Sequence, residues 1–209
     1  MSGTAGIVLA GGRSRRMGTD KARLEFAGVA SVVRVVGALR HLGPVIVVAA
    51  DHQVLPPLDA TVVADEVPDA GPLHALAVGL RAAADLGADA AMVCATDLPL
   101  LHPAVATALL ARLGEHDVVL PVIAGHEQLL AAVYRTSLSP VARALVGAGQ
   151  RRLRAVLAHA DVLRLDEAGM LADDAVRAAD PDLRSFRSAN TPREWAALAA
   201  LDTGDPRVS

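Results

Sequence analysis

Short, nearly continuous apolar runs recur along the chain, separated by longer stretches in which apolar residues return every three or four positions. The runs read as strands buried on both faces of a parallel sheet, and the stretches between them as helices. Gly6-Ile7-Val8-Leu9 predicts the first strand, and residues 23–28 a short extended piece and a turn. Residues 31–40 keep their arginines off a Val/Leu face and predict an amphipathic helix, although their β-branched residues are weak helix formers. Gly43-Pro44 stops it before the buried strand 45–49. Thr61-Val62-Val63-Ala64 is a third short strand, leading to Asp65-Glu66 and a loop punctuated by Pro68, Gly71 and Pro72. A helix over 73–86 follows, entered through a glycine and a proline. The next strand ends in Cys94-Ala95, just before Thr96-Asp97-Leu98-Pro99-Leu100.

Pro103 starts a helix over 104–113, and 117–121 is the next strand. Residues 125–128 turn into a strand over 129–134, expected despite its alanines. Ser139-Pro140 opens a helix through Val146, Gly149-Gln150-Arg151-Arg152 leads into 153–159, and 162–165 is a strand. The acidic, Ala-rich stretch 166–182 has no strong period and reads as a variable insertion. Residues 185–188 look extended. In Asn190-Thr191-Pro192-Arg193-Glu194, Thr191 is placed to cap a helix, Pro192 suits its first position and Glu194 completes a capping box, with Trp195 and Leu198 docking the helix. No repeat or linker divides the chain, so residues 1–201 are expected to form one domain and 202–209 a frayed tail. The alternation predicts an α/β fold, three layers α/β/α around an open, mostly parallel sheet. Ligands in such sheets gather beyond the carboxyl ends of the strands. The loop after the first strand, Asp65 and Asp97 could therefore line one crevice.

Composition narrows the possibilities. Hydrophobic residues make up 53% of the 209 and aromatics only 2%, so the core must be built mainly from Val, Leu and Ala. Twenty Lys+Arg against 23 Asp+Glu leave a formal charge of -3, which creates no global field for nucleic acid. The single cysteine, Cys94, excludes an internal disulfide and fits a reducing cytoplasm; inside an apolar run it reads as a packed strand residue rather than a nucleophile. The start of the chain lacks the features of a signal peptide, and no apolar run suits a bilayer, so a cytoplasmic protein is expected. The seven histidines show no zinc-ligand spacing.

The exception to this even charge is the loop that follows the first strand, Leu9-Ala10-Gly11-Gly12-Arg13-Ser14-Arg15-Arg16-Met17-Gly18-Thr19-Asp20-Lys21. Glycines let backbone N–H groups approach a ligand, and the cations can neutralise a triphosphate. A solvated basic turn is the alternative. The loop lacks the Gly-Lys-Ser/Thr of a P-loop and the G-x-G-x-x-G of a dinucleotide fingerprint. Asp97, where a buried strand gives out, is a candidate Mg2+ ligand, since magnesium takes one or two carboxylates and completes its shell with phosphate oxygens and water. The alternative is a carboxylate capping the turn before Pro99. Arg16 and Lys21 would clamp the triphosphate as charge builds on departing pyrophosphate.

The loop resembles the signature L-A-G-G-x-S-x-R-M-G-x-D-K of MobA-type nucleotidyltransferases, the molybdenum cofactor guanylyltransferases, at every fixed position. Val63-Ala64-Asp65 with Gly71-Pro72-Leu73 is similar to the family's second motif, Ala95-Thr96-Asp97-Leu98-Pro99-Leu100 to its C-D-x-P metal motif, and Asn190-Thr191-Pro192 to the end of N-x-N-T-P, with Ser188 at the first asparagine and Thr96 before the aspartate. The resemblance implies a Rossmann-like nucleotidyltransferase fold and transfer of GMP from GTP to the terminal phosphate of molybdopterin, with Mg2+ as cofactor. It implies Leu9, Ala10, Gly11 and Gly12 near base and phosphates, Arg16 and Lys21 on the triphosphate, Asp65 on the nucleoside, and Asp97 on nucleotide and Mg2+. Asn190 would face the pterin, and Arg151 or Arg152 its phosphate. Protein partners would be those that deliver molybdopterin or mature molybdoenzymes. A cytidylyltransferase for the same pterin, or a sugar-phosphate nucleotidyltransferase, shares the chemistry but its relatives tend to carry L-A-A-G, so Gly12 favours guanine. A non-enzymatic nucleotide-binding module is the third reading, and the presence of both Lys21 and Asp97 argues against it.

Overall fold

The computed structural model describes residues 3–11, 24–26, 28–65, 71–189 and 191–202. Its elements run β1 (Gly3–Leu9), β2 (Glu25–Phe26), β3 (Val29–Ala30), α1 (Ser31–Leu39), β4 (Val45–Ala50), β5 (Thr61–Asp65), α2 (Pro72–Asp85), β6 (Ala88–Ala95), α3 (Pro103–Ala111), β7 (Val118–Ile123), β8 (His126–Glu127), β9 (Ala131–Arg135), α4 (Ser139–Gly147), β10 (Val162–Leu165), α5 (Glu167–Leu171), α6 (Asp174–Ala179) and α7 (Pro192–Asp202). The large sheet has the order β10-β7-β9-β6-β1-β4-β5, with β8 paired to β7, and β2 and β3 form a separate hairpin. β1 pairs in parallel with β4 and β6, and β4 with β5. β9 runs antiparallel to both β6 and β7, a reversal that the apolar pattern did not reveal.

The strands bury both faces, as their continuous apolar runs require. Val8, Val47, Met92, Cys94 and Val133 face one core with Val32, Val35, Val36 and Leu39 of α1 and Val105 and Leu109 of α3. Ile7, Ile46, Val48, Val93 and Leu120 face the other, against Leu73, Leu76 and Leu80 of α2 and Ala142 of α4. Each fully buried Val, Leu, Ile or Met among them contributes about 1.5–3 kcal/mol of transfer free energy, which is how the valine-rich α1 overrides its weak propensity. Gly79 permits the close seat of α2: a Cβ there would lie 2.7 Å from Ile7 Cγ2. Burial pushes the Cys94 thiol pKa up, so the thiolate form is disfavoured.

Several local expectations change. Residues 128–130 form a turn, with Ala131 N–H donating to Gln128 O at 3.0 Å, and delay β9 until Ala131. Residues 153–159 form a 3-10 segment, and 184–186 a 3-10 turn where extended chain was expected. The stretch 166–182 is not appended to the fold. Asp166 and Asp173 cap α5 and α6 by accepting from Gly169 N–H and from Ala175 and Val176 N–H, and each short helix sends one apolar residue, Met170 or Val176, into the core. Its acidity is partly the chemistry of caps. The capping box on α7 forms as expected: Thr191 N–H donates to Glu194 Oε2 at 3.1 Å and Glu194 N–H to Thr191 Oγ1 at 3.2 Å. Trp195 and Leu198 then bury against Phe26. Among the described residues no helix is long and apolar enough to cross a membrane.

Met170→Ala is expected to destabilise the protein by about 2–5 kcal/mol, read from the urea unfolding midpoint; a near-neutral effect would restore the reading of 166–182 as a variable insertion.

Candidate active site

Strand register aligns the site. Leu9 pairs with Ala95 of β6 and with Val48 of β4, and Val48 pairs with Val63 of β5. Counting on from that level, Gly11, Asp65 and Asp97 each stand two residues further toward the carboxyl edge. In the order β6-β1-β4-β5, three strand steps separate the carriers of the two aspartates, about 14 Å at the usual spacing. The glycine-rich loop departs between them. Gly12, Arg16, Lys21 and Asn190 lie outside the described residues.

The loop's root is held rigidly. Ala10 and Gly11 N–H both donate to Val48 O, at 2.8 and 3.2 Å. Gln53 closes the opposite side, its Nε2 donating to Ala10 O at 3.1 Å while its Oε1 accepts from Ala50 N–H at 3.0 Å. Leu9 and Ala10 are buried and Gly11 exposed, so the chain reaches the edge of the sheet at Gly11.

The Asp97 turn is tied to the segment just after the loop. Ser31 Oγ donates to Thr96 O, Arg34 Nε donates to Pro99 O at 3.1 Å, and the Arg34 guanidinium lies over the Phe26 ring 4.9 Å from its centroid. A cation stacked on an aromatic face contributes roughly 0.5–2 kcal/mol. Phe26 packs edge-on against Trp195 at 5.7 Å, and Trp195 Nε1 donates to Glu25 O at 2.8 Å. Ala189 and Leu100 join the same cluster, which brings the residue before Asn190 beside the hairpin that follows the loop.

On the β5 side, Asp65 meets a residue that the sequence did not single out: His74, in the first turn of α2, has Nδ1 2.7 Å from Asp65 Oδ1. Arg151 and Arg152 are exposed on a loop whose backbone is pinned to the same helix start, since Leu73 N–H donates to Arg151 O at 3.3 Å. Gly71, at φ 86°, makes that approach possible: a Cβ would stand 2.8 Å from Arg151 O. Further along the edge, Glu127 receives Arg154 at 2.8 Å and Arg164 at 3.0 Å. The structure thus gathers Gly11, Asp65 and Asp97 along one edge and joins the Arg151 segment to the start of α2.

A model of the MobA-like NTP transferase domain matches residues 6–167. The chain belongs to the MobA-like NTP transferase family. Within this MobA-like family it is 47% identical over 166 residues to a probable molybdenum cofactor guanylyltransferase of Mycobacterium bovis, covering 77% of the chain and 82% of the relative. A probable molybdenum cofactor guanylyltransferase of Mycobacterium avium is 42% identical over 200 residues, covering 93% and 94%. The fold is similar to the crystal structure of molybdopterin-guanine dinucleotide biosynthesis protein A from Archaeoglobus fulgidus, with a TM-score of 0.77 at 20% identity over 97% and 100% of the two chains. Nucleotidyltransferases of this kind typically depend on a divalent metal. Among the described residues no three His, Cys, Asp or Glu side chains are grouped to hold one. The partly buried Asp97 offers a hard oxygen that suits a cation resting on one or two carboxylates, with phosphate and water completing its shell.

Gly71→Ala is expected to cost about 1–3 kcal/mol in unfolding free energy and to speed trypsin cleavage after Arg151 and Arg152. Gly87→Ala, at φ 83° with nothing within 4 Å of the added Cβ, should destabilise less and leave that cleavage unchanged.

Proposed function

We propose that the protein is a molybdenum cofactor guanylyltransferase, moving GMP from GTP to the terminal phosphate of molybdopterin and releasing pyrophosphate. The observation that carries this reading is the common level of Gly11, Asp65 and Asp97 at the carboxyl edge of a chain that belongs to the MobA-like family. Asp65 and Asp97 stand at the two sides of the strand that launches the loop, a spacing that suits a nucleotide laid across the strand ends.

In this reading Leu9, Ala10, Gly11 and Gly12 surround base and phosphates, Arg16 and Lys21 neutralise the triphosphate, and Asp65 accepts from the nucleoside. Asp97 holds Mg2+ with the phosphates; the bound ion would supply positive charge against the oxygens of the reacting phosphoryl group. The acceptor phosphate attacks the α-phosphorus, a new P–O bond forms, and the bond to pyrophosphate breaks. No covalent enzyme intermediate is needed. The chain's task is positioning and charge neutralisation. Asn190 faces the pterin, and Arg151 and Arg152 receive its phosphate. Residues 1–201 act as one domain in the cytoplasm, where Cys94 stays reduced, and the product passes to proteins that mature molybdoenzymes.

Asp97→Ala is expected to lower kcat by at least about a hundredfold with an unchanged circular dichroism spectrum; near-normal turnover would remove the metal assignment. Arg16→Ala and Lys21→Ala should each weaken GTP binding by about tenfold or more, measured by equilibrium titration. Pyrophosphate release, tested with each of the four nucleoside triphosphates with and without molybdopterin, should require GTP and the pterin together. Release from CTP alone would instead select a cytidylyltransferase.

A further inference from the structure

The hydrogen bond between Asp65 and His74 joins the end of β5 to the first turn of α2, nine residues later. An ionised carboxylate only accepts, so His74 Nδ1 carries the proton and donates to Asp65 Oδ1. Both side chains are mostly enclosed, with 18% of His74 and 15% of Asp65 exposed. That enclosure makes the contact worth more than a surface pair, which solvent and side-chain entropy largely cancel. His74 is itself braced from behind. Its backbone N–H donates to Gly71 O at 3.2 Å, and the adjoining Leu73 backbone N–H donates to Arg151 O.

Asp65 by contrast sits at the tip of β5, which among the described residues pairs only with β4. Its backbone neighbours Thr61, Val62 and Ala64 are exposed. A carboxylate at such a strand end rotates about two side-chain bonds unless something holds it, and a rotating acceptor contributes little to recognition. The anchored imidazole is one contact that holds it, from the helix side.

We propose that His74 is a positioning residue for the nucleoside, fixing the Asp65 carboxylate in the orientation that accepts from the hydrogen-bond donors of the bound nucleotide. This rests on the assignment of Asp65 to the nucleoside under the proposed function. The donor that matters is Nδ1, near the side-chain root, so an asparagine amide nitrogen can replace it and a glutamine amide, which reaches the place of Nε2, cannot. His74 acts in the ground-state complex and leaves the phosphoryl chemistry at the Asp97 side untouched, so its loss raises KM rather than lowering kcat.

The test uses the full chain with Mg2+. Affinities for all four nucleoside triphosphates are measured by equilibrium titration, and kcat and KM for GTP by pyrophosphate release with molybdopterin. His74→Ala is expected to raise Kd and KM for GTP by about tenfold while kcat stays within about twofold. His74→Asn should return both to within about threefold of wild type, and His74→Gln should not. In an Asp65→Asn background the effect of His74→Ala should vanish. Should His74→Ala fail to fold, the comparison of Asn with Gln carries the same test. Unchanged affinity in His74→Ala, equal rescue by Asn and Gln, or a fall in kcat at constant KM would each overturn the proposal. If wild type binds a nucleoside triphosphate without transferring it to molybdopterin, and that affinity still falls in His74→Ala, the guanylyltransferase reading fails and the positioning role stands. Binding of no triphosphate would overturn both.

Discussion

Everything at the carboxyl edge of the sheet depends on β1 being hydrogen-bonded in parallel on both sides. A strand held by β4 and β6 together cannot slip by a residue without moving its apolar side chains to the wrong core, and Ile7 and Val8 face different cores. The place where the chain leaves the sheet at Gly11 is therefore fixed by packing some distance away. The two aspartates inherit the same precision, because their strands are read off the same ladder. Chemistry that depends on position more than on special reactivity needs this kind of frame.

The second support is non-local and made of few atoms. Arg34 lies between a ring and a carbonyl, touching the hairpin after the loop with its face and the Asp97 turn with its Nε. Trp195 reaches back across the chain to Glu25 from the last helix. The C-terminal segment thus braces the β2–β3 hairpin through aromatic packing, although Phe26, Tyr134, Phe186 and Trp195 are the only aromatic residues in the sequence. That two of these four meet here shows how unevenly the apolar resources of an aliphatic protein are spent.

Much of the fold was legible because it is locally encoded. The strands before Asp65 and Asp97 announce themselves as apolar runs ended by a carboxylate, and the Thr191–Glu194 box is written in four consecutive letters. The glycine-rich loop is legible for its composition. What stayed hidden was decided between distant residues. Nothing in the alanines of 131–135 says that β9 runs antiparallel, since burial on both faces looks the same in either direction. The stretch 166–182 seemed aperiodic because its two helices are too short to display a period, each burying a single side chain. His74 gave no signal because its meaning comes from Asp65, nine residues earlier, and Ser31 and Arg34 read as ordinary helix residues until the Asp97 turn is set against them.

The reversed strand β9 divides the sheet into unequal territories. On one side lie β6, β1, β4 and β5, all parallel, with Gly11, Asp65 and Asp97 beyond or at their ends; on the other lie β7, β8 and β10, reached through a hairpin and turns. β9 enters from the carboxyl end of β6, with Ala131 opposite Cys94, and Ala95 N–H donates to Leu130 O just ahead of it. A seam of this kind lets loops on the far side lengthen, shorten or change charge without breaking a rung of the β1 ladder. The molecule is in this sense modular within a single sheet: a parallel half that carries Gly11, Asp65 and Asp97 at its carboxyl edge, joined along one reversed strand to a half with its own hairpin and edge strand.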